Sequence, residues 1–199
     1  MRMLRWNAGQ VRHGAAELAY LLTDTVAAGA SVGFLAPLDR ARATAWWRER
    51  ADGVARGELA VWAALDDNGR ADGGGQGEHT TTGSVLGTIG LAFPALPNGR
   101  HRAEVVKLMV HPTARGQGLA RRLLTTAEQA AAATGITLLH LDTETGSPAE
   151  RLYDTAGWTR AGAIPGYATN TVGTPRATTL YYKRLEPFEP LETLDPLTG

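Results

Sequence analysis

The sequence predicts a mixed α/β domain whose sheet is mostly antiparallel, of the α+β kind, with one parallel strand–helix–strand crossover in the middle. Short apolar runs alternate with segments whose apolar residues recur at helical spacing. One run, 105–110, leads through a glycine-bearing turn into a helical pattern, and another apolar run follows at 136–143. A strand, a crossover helix and a second strand in that order normally form a right-handed parallel unit. Two later strand-like runs are expected to close the sheet as a hairpin.

The first part of the chain predicts one short strand over 3–6 and two helices over 15–28 and 38–54. Asp39 stands near the start of the second helix and Gly53 near its end. Between the helices, the segment 29–37 carries two glycines and Phe34. This segment is either a loop that closes over a substrate or a plain helix–helix connection with Phe34 in the core.

The remaining elements are predicted from short apolar runs and from the Gly, Pro and Ser residues that bound them. Strands are predicted over 58–65, 84–93, 101–110, 136–143, 158–167 and 177–185. The crossover helix starts near Leu119 and ends at Gly135. The sequence Ser147-Pro148-Ala149-Glu150 predicts another helix, with Ser147 as N-cap, Pro148 in the first turn and Glu150 completing a capping box.

Two segments predict little fixed structure. The glycine-rich stretch 67–82 has few apolar residues, and such a composition cannot offset the entropy lost on ordering, so we expect a flexible loop. The tail 186–199 is rich in proline and acidic residues and is expected to be loosely ordered. The predicted domain is therefore a single one over 1–185.

Composition excludes several classes of function. Twenty Lys and Arg residues balance twenty Asp and Glu residues, whereas a nucleic-acid-binding protein usually has a basic excess. The chain has no cysteine, so no disulfide framework or thiol nucleophile is expected. We expect no membrane span or signal peptide and a cytoplasmic location, since no apolar run has the necessary length. His101, His111 and His140 have no metal-ligand spacing, so we expect no metal.

The turn Arg115-Gly116-Gln117-Gly118 between strand and helix suits a polyphosphate. The first N–H groups of a helix lack partners within the helix, and the glycines allow a ligand to approach the backbone. Arg115, Arg121 and Arg122 add cationic donors. An ordinary glycine-rich connection remains the alternative. A P-loop and a dinucleotide fingerprint do not fit, because the required Gly-Lys-Ser/Thr ending and the three spaced glycines are missing.

The pattern Arg-x-x-Gly-x-Ala at 115–120, placed after a strand and at the start of a helix, resembles the coenzyme-A pyrophosphate loop of the GCN5-related N-acetyltransferase (GNAT) superfamily. The segment 149–158 is similar to that family's Ala-x-x-x-Tyr-x-x-x-Gly-Phe motif, with Trp158 in place of Phe. The resemblance is strongest over about 84–184. It implies the GNAT fold, in which the two parallel strands splay apart to hold acetyl-CoA, with no metal.

The resemblance also implies which residues contact the coenzyme. The implied cofactor-binding residues are Leu108, Met109, Val110, Arg115, Gly116, Gln117, Gly118, Leu119, Ala120, Arg121 and Ser147. The first three would pair their main chain with the pantetheine amides. Ser147 is a departure, because the family often has Asn near the start of that helix, and the serine hydroxyl is expected to cap the helix instead.

Three residues are candidates for catalysis of amine attack on the acetyl thioester. Tyr153 occupies the tyrosine position of the family motif and is the candidate acid, because a phenol is protonated at neutral pH. Glu104 and Asp142 lie on the two strands of the crossover and are candidate bases. The alternatives are a core tyrosine and structural ion pairs, such as Glu104 with an arginine. Asp142 follows an apolar run, where an unpaired buried charge would be costly.

Several segments are similar to one branch of the family, represented by the tabtoxin resistance protein: 98–105, 107–112, 141–143, 145–150 and 177–185. That similarity implies a small polar amine as acceptor, such as a toxin or antibiotic, and a monomer or homodimer. Phe34, Trp46, Tyr167 and Asn170 would then contact the acceptor. Two alternatives remain open: acetylation of a protein lysine or N-terminus, and a non-catalytic module that binds acyl-CoA.

Overall fold

The computed structural model describes residues 1–66 and 84–185, which form a seven-stranded sheet and five α-helices. The strands are β1 (Arg2–Trp6), β2 (Leu59–Leu65), β3 (Val85–Ala92), β4 (Arg102–Val110), β5 (Leu138–Glu144), β6 (Thr159–Thr169) and β7 (Pro175–Arg184). The helices are α1 (Ala8–His13), α2 (Ala15–Ala27), α3 (Arg40–Ala55), α4 (Leu119–Ala133) and α5 (Pro148–Thr155). Single 3₁₀ turns cover Pro97–Gly99 and Pro112–Ala114.

The sheet has the order β1-β2-β3-β4-β5-β7-β6, and β4 with β5 is the parallel pair among otherwise antiparallel neighbours. This arrangement confirms the predicted mixed sheet with one parallel crossover. The pairing of β4 with β5 extends only from Arg102 opposite Leu138 to Glu104 opposite His140. Beyond these residues the two strands separate, and a slot opens in the middle of the sheet.

A bulge in β4 lies beside this slot. Gly90 of β3 is opposite Val106 and Thr88 is opposite Met109, so Lys107 and Leu108 together face a single residue of β3. Lys107 has a φ of 52°, the one positive φ of a non-glycine residue within 1–66 and 84–185. Such a conformation costs about 1–3 kcal/mol and persists only when surrounding contacts hold it. The bulge therefore redirects the Lys107 side chain at the point where the sheet opens.

Two hydrophobic cores lie on opposite faces of the sheet. In β2, Ala60, Trp62 and Ala64 belong to the core that contains α4 and α5, while the alternate residues join the core that contains α1, α2 and α3. Successive strand residues point to opposite faces, so a strand buried on both faces needs an unbroken apolar run. The run Leu59–Leu65 is of this kind.

The predicted strands and longer helices are present to within two residues at their ends, and one element was missed. Helix α1 has six residues, of which only Val11 is buried, so it carries no periodic apolar signal. It begins instead with a capping box between Asn7 and Gln10. The predicted flexible loop 67–82 and loose tail 186–199 lie outside the described residues.

Candidate active site

The slot between β4 and β5 exposes main-chain groups that neighbouring strands would otherwise pair. Past Glu104 and His140 the two strands no longer pair with one another. The facing N–H and C=O groups of β4 are therefore available to an extended ligand that carries amides. Leu108 and Val110 are half-buried there, whereas the Met109 side chain is buried in the core that contains α2. Met109 can thus contribute only its backbone.

The turn after β4 presents a cradle for an anion at the start of α4. Gly116 and Gly118 both have a φ of 73°, a left-handed conformation that glycine adopts without strain. Gly118 is the N-cap residue and provides no side-chain cap. The first hydrogen bond of the helix runs from the Arg122 N–H to the Gly118 carbonyl, over 3.1 Å. The preceding N–H groups therefore have no partner inside the helix and suit a phosphate.

The cationic residues around this turn differ in where they point. Arg115 is exposed and donates through Nε to the Val110 carbonyl over 3.2 Å. Arg121 crosses to α5 and donates to the Thr155 hydroxyl over 2.7 Å. Arg122 lies against the Met1 sulfur at 3.8 Å, so it does not supplement the turn as the sequence suggested. Gln117 stabilises the turn by donating to the Thr113 carbonyl over 3.0 Å.

Tyr153 lies on α5 against two aromatic rings. Its ring centroid is 5.8 Å from that of Trp158 and 5.6 Å from that of Tyr181, and only 6% of the residue is exposed. Burial, with smaller contributions from Asp142 and Tyr181, raises the pKa of Tyr153 to about 12. The hydroxyl makes no hydrogen bond to any residue that the structure describes. Tyr153 is therefore a protonated phenol whose donor is free for a ligand.

The capping box predicted at the start of α5 is wrong, because the Ser147 and Glu150 side chains have other hydrogen-bond partners. Ser147 is the N-cap residue, but its side chain makes no cap hydrogen bond and lies 3.2 Å from the Thr143 hydroxyl. Glu150 accepts from the Gly146 N–H over 2.7 Å, one residue earlier than a capping box requires. The expectation that capping occupies the Ser147 hydroxyl is therefore incorrect.

The alternation of β4 and β5 places the candidate bases on the other face of the sheet from α4 and α5. Val105 and Leu141 belong to the core with α4 and α5. Glu104 and Asp142, the neighbouring residues in each strand, must point to the opposite face. There a cavity of about 340 Å³ brings both carboxylates together. Its other lining residues are Ser31, Val32, Gly33, Phe34, Leu35, Val105, Val106, Lys107, Ala168 and Thr169.

Neither carboxylate forms the structural ion pair that the sequence analysis left open as an alternative. Among residues 1–66 and 84–185, Glu104 and Asp142 have no cation within 4.0 Å. The nearest arginine in β4, Arg102, lies 3.2 Å from His140 Nε2 instead. Asp142 is exposed to solvent rather than buried, so its charge carries no large desolvation cost. Both groups remain available to a ligand in the cavity.

Lys107 is a site residue that the sequence analysis missed. Its Nζ donates to the Val32 carbonyl over 2.8 Å and lies 5.7 Å from the Phe34 ring centroid and 5.3 Å from that of Trp46. Burial lowers the pKa of Lys107, while Asp142 and Glu104 oppose that shift. A lysine inside the apolar run 105–110 was the available signal, since the same reasoning drew attention to Asp142.

The four predicted acceptor residues are not placed together. Phe34 lines the cavity and packs edge-on against Trp46, with 5.3 Å between centroids, but Trp46 lines a neighbouring cavity. Tyr167 is 56% exposed and lies outside the lining of both cavities. Asn170 is engaged in its own turn, where its Oδ1 accepts from the N–H groups of Val172 and Thr174 over 3.2 and 2.9 Å. Adjacent residues of β6, Ala168 and Thr169, line the cavity in their place.

Two loops meet over this cavity. The loop between α2 and α3 supplies Ser31 to Leu35, and the β6–β7 hairpin supplies Ala168 and Thr169. The Ala36 N–H donates to the Thr171 carbonyl over 2.7 Å, which ties one loop to the other. The segment 29–37 therefore forms one wall of a cavity, and it also connects α2 to α3 with Phe34 half-buried against the core that contains those helices.

The described part of the chain contains neither a cluster of metal-ligand side chains nor a membrane-spanning helix. No group of three or more His, Cys, Asp or Glu side chains converges there as metal ligands would. None of the helices in those ranges combines the length and hydropathy needed to cross a bilayer.

Solved structures of known proteins share this fold at low sequence identity. The ribosomal-protein-alanine N-acetyltransferase of Brucella melitensis superposes with a TM-score of 0.68 at 18% identity, over 93% of this chain and 100% of that one. A protein provisionally assigned as a phosphinothricin N-acetyltransferase gives 0.69 at 18% identity, over 93% and 99%. The yncA protein of Salmonella typhimurium, solved with its cofactor acetyl-CoA, gives 0.66 at 18% identity, over 97% and 99%. At this identity the likeness establishes the fold alone.

A sequence model of the acetyltransferase (GNAT) family matches residues 40–158, which is more than half of the chain. The matched region runs from the start of α3 through the slot, the glycine-bearing turn and α5. It therefore contains the turn, Tyr153, Glu104, Lys107 and Asp142.

Proposed function

Because the chain belongs to the GNAT acetyltransferase family, we propose that it transfers the acetyl group of acetyl-CoA directly to the amine of a small polar metabolite, such as a toxin or antibiotic. One observation carries this proposal. A cradle for a polyphosphate and a free phenol lie on one face of the sheet, and a cavity with two carboxylates lies on the other. The slot between β4 and β5 joins the two faces.

Coenzyme A fits the first face by its chemistry. Its pyrophosphate would bind the N–H groups at the start of α4, with Arg115 and Arg121 as charged donors and residues 116–120 as the cradle. Its pantetheine amides would pair with the main chain of Leu108, Met109 and Val110, as a peptide adds to a sheet edge. The hydroxyl of Ser147, which is not used as a cap, is available at the same slot. The acetyl-CoA bound to the yncA protein supports this choice of donor.

One of the two carboxylates is the base, and the amine of the acceptor is the nucleophile. The neutral amine attacks the thioester carbonyl, the C–N bond forms, the C–S bond breaks, and the amine loses one proton. Glu104 or Asp142 takes that proton, directly or through water. An ammonium group would be held by the same two carboxylates before it is deprotonated, and positioning of the two reactants contributes about 7–11 kcal/mol to lowering the barrier.

Tyr153 is the donor to the departing sulfur. A pKa of about 12 for this phenol lies above the ~8.5 of an ordinary thiol, so full proton transfer to the sulfur is unfavourable at equilibrium. We therefore assign Tyr153 a hydrogen bond to the thiolate as it develops, with the sulfur finally protonated from solvent. This bond exists only as negative charge builds up on the sulfur, so it favours the transition state over the ground state.

The size of the acceptor cavity favours a small molecule. A volume of about 340 Å³ under two loops joined by a hydrogen bond suits a metabolite better than a polypeptide chain. This agrees with the similarity of several segments to the tabtoxin resistance branch, and we propose a monomer or homodimer acting in the cytoplasm. Acetylation of a polypeptide N-terminus is the second candidate, because the Brucella melitensis structure with this fold is named for that activity.

The test is to incubate the protein and acetyl-CoA with amino acids, aminoglycosides, other amine antibiotics and peptides, and to follow thiol release. We expect acetylation of at least one small amine and little of any peptide, with mass spectrometry showing one acetyl group on the amine. Preferential labelling of peptides would favour the second candidate. Binding of coenzyme A without transfer to any amine would favour a non-catalytic acyl-CoA-binding module.

A further inference from the structure

Two cavities meet at the β4 bulge. The first, of about 340 Å³, contains Glu104 and Asp142, and the second, of about 390 Å³, lies between α3 and the sheet. Val106 and Lys107 line both. The second cavity adds Trp46 and Arg50 from α3. The two cavities are therefore neighbours, and Lys107 borders both of them.

Two cations flank one indole ring at this junction. The Lys107 Nζ lies 5.3 Å from the Trp46 ring centroid, and the Arg50 guanidinium carbon lies 5.2 Å from it. Neither cation has a carboxylate within 4.0 Å in the portion of the chain that the structure describes. By contrast, Arg56 in the same cavity forms a bidentate salt bridge with Glu58, over 2.8 and 2.7 Å.

Both cations have donors that a ligand can use. Lys107 is half-buried and Arg50 is exposed; burial and, to a smaller extent, Arg50 lower the pKa of Lys107, whereas Asp142 and Glu104 oppose that shift. The Lys107 ammonium donates one hydrogen bond, to the Val32 carbonyl, although an ammonium group has three donors. An anion in the second cavity, which both residues line, would accept hydrogen bonds from Lys107 and Arg50.

We infer that the acceptor carries an anionic group, a carboxylate in the simplest case, which binds at Lys107 and Arg50 while its amine faces Glu104 and Asp142. This inference rests on the proposed function. It narrows the acceptor from any small amine to a zwitterion of amino-acid type, and it makes Lys107 the specificity-determining residue. The two charges of such a molecule match the carboxylates of one cavity and the cations of its neighbour.

The experiment compares matched acceptors that differ only in the anion. For each of several amino acids, its carboxamide and the amine lacking the carboxyl group are assayed with acetyl-CoA by thiol release. We expect kcat/KM to be roughly 10- to 100-fold higher for the acid, as is typical of a hydrogen bond to a charged group. Lys107→Met should abolish this preference, and Arg50→Met should reduce it by roughly three- to tenfold.

Control variants separate charge from folding. Arg48→Met removes a cation from the same helix outside both cavities and should keep the full preference. Lys107→Arg retains the charge and should retain most of the preference, whereas general damage to the loop at Val32 would lower the rates for all three acceptors equally. Arg50→Met does not touch that loop and tests the same anion site independently.

A second measurement does not depend on turnover. With coenzyme A present, calorimetry should show that an N-acetylated amino acid binds at least tenfold more tightly than its amide to the wild-type protein, but not to Lys107→Met. Acetylation of acids, amides and simple amines at equal efficiency would overturn the inference and leave the proposed function intact. If no amine is acetylated, the proposed function fails, and equal binding of the two acetylated compounds then overturns the inference separately.

Discussion

Burial acts on Tyr153 and Lys107 in the same direction, toward the uncharged form, but with different consequences. It raises the pKa of the phenol to about 12, which keeps its proton in place over the working pH range. It lowers the pKa of the lysine, while Asp142 and Glu104 oppose that shift. At the scale of single residues, the site therefore combines a phenol that keeps its proton with a half-buried lysine near two carboxylates.

Tyr153→Phe should lower the rate of thiol release about 10- to 100-fold, because the hydrogen bond to the developing thiolate is lost. The affinity for acetyl-CoA should change less than about twofold, since the bond forms only during the reaction. Steady-state kinetics and calorimetry measure the two quantities. Tyr20→Phe, at a 45% exposed tyrosine on α2, is the matched control and should leave the rate unchanged.

The same variant checks the pKa. Tyr153 and Tyr181 both have a pKa raised to about 12, so a spectrophotometric titration of the wild type should show two tyrosines that ionise late. Tyr153→Phe should remove one of them. Full activity in Tyr153→Phe with a good acceptor would remove the tyrosine from the mechanism.

Single residues were predicted from the sequence to different degrees. Glu104, Asp142 and Tyr153 could be singled out because charge in an apolar run and a motif tyrosine are visible in one dimension. Asn170 could not be assessed in this way, since its amide satisfies N–H groups of its own turn, and this depends on the conformation of the hairpin. Lys107 was visible as a charge within the apolar run 105–110, but the positive φ and the bulge that redirect its side chain were not predictable from that run.

At the scale of elements, the start of α4 suits an anion because it lacks a capping side chain. Gly118 provides no side-chain cap, although Ser, Thr, Asp and Asn are the usual N-cap residues. The N–H groups that a side chain would have satisfied are left for a ligand. Arg115 and Arg121 are held beside them by bonds to Val110 and Thr155.

Arg115→Ala and Arg121→Ala should each weaken the binding of acetyl-CoA by roughly five- to tenfold, a modest effect because both side chains are exposed. Neither should weaken the binding of acetyl-pantetheine, which has no pyrophosphate. Calorimetry with both ligands makes the comparison. Arg122→Ala is the control, since its guanidinium lies at Met1. Equal losses with both ligands would show that the arginines support the fold rather than the pyrophosphate.

Elements were predicted well where periodicity was strong and less well where side-chain partners decided the detail. The apolar spacing of α2 and α4 predicted their limits to within two residues. The start of α5 was placed correctly from Ser147 and Pro148, yet the capping partners were wrong. The Ser147 hydroxyl lies near Thr143 of β5, a contact that only the three-dimensional arrangement creates.

At the scale of the whole molecule, the sheet separates two apolar cores that share β2, β3 and β4. Leu18 of α2 lies in one and Leu123 of α4 in the other, and both are fully buried. Neither core can form without β2 and β3, because both strands contribute residues to each core. The helices on the face with the Glu104 and Asp142 cavity are therefore part of the same cooperative unit as the helices on the face with the glycine-bearing turn.

Leu18→Ala and Leu123→Ala should each lower the free energy of unfolding by about 2–5 kcal/mol. Each variant should still unfold in one transition, with far-ultraviolet circular dichroism and tryptophan fluorescence giving the same midpoint. Leu96→Ala, at a residue that is 70% exposed, should change the free energy by less than about 0.5 kcal/mol. Separate midpoints for the two probes would show that the two faces unfold independently.

The order of elements was enough to predict the topology, because a strand–helix–strand crossover permits few arrangements. The extent of the parallel pairing was not predictable from residue types. It ends after Glu104 and His140, although the next residues of β4, Val105 and Val106, are more apolar than those before. Only the resemblance to a known family anticipated that the strands would part there.

The hydrogen bond between Ala36 and Thr171 has a consequence for altering this protein. It links two segments that are far apart in the sequence, each of which contributes one wall to the acceptor cavity. If only one of these segments were replaced by that of a relative, it would have to form this hydrogen bond with the unchanged backbone of the other segment. Redesign of the acceptor specificity therefore has to exchange 29–37 and 168–174 together, even though they are far apart in the sequence.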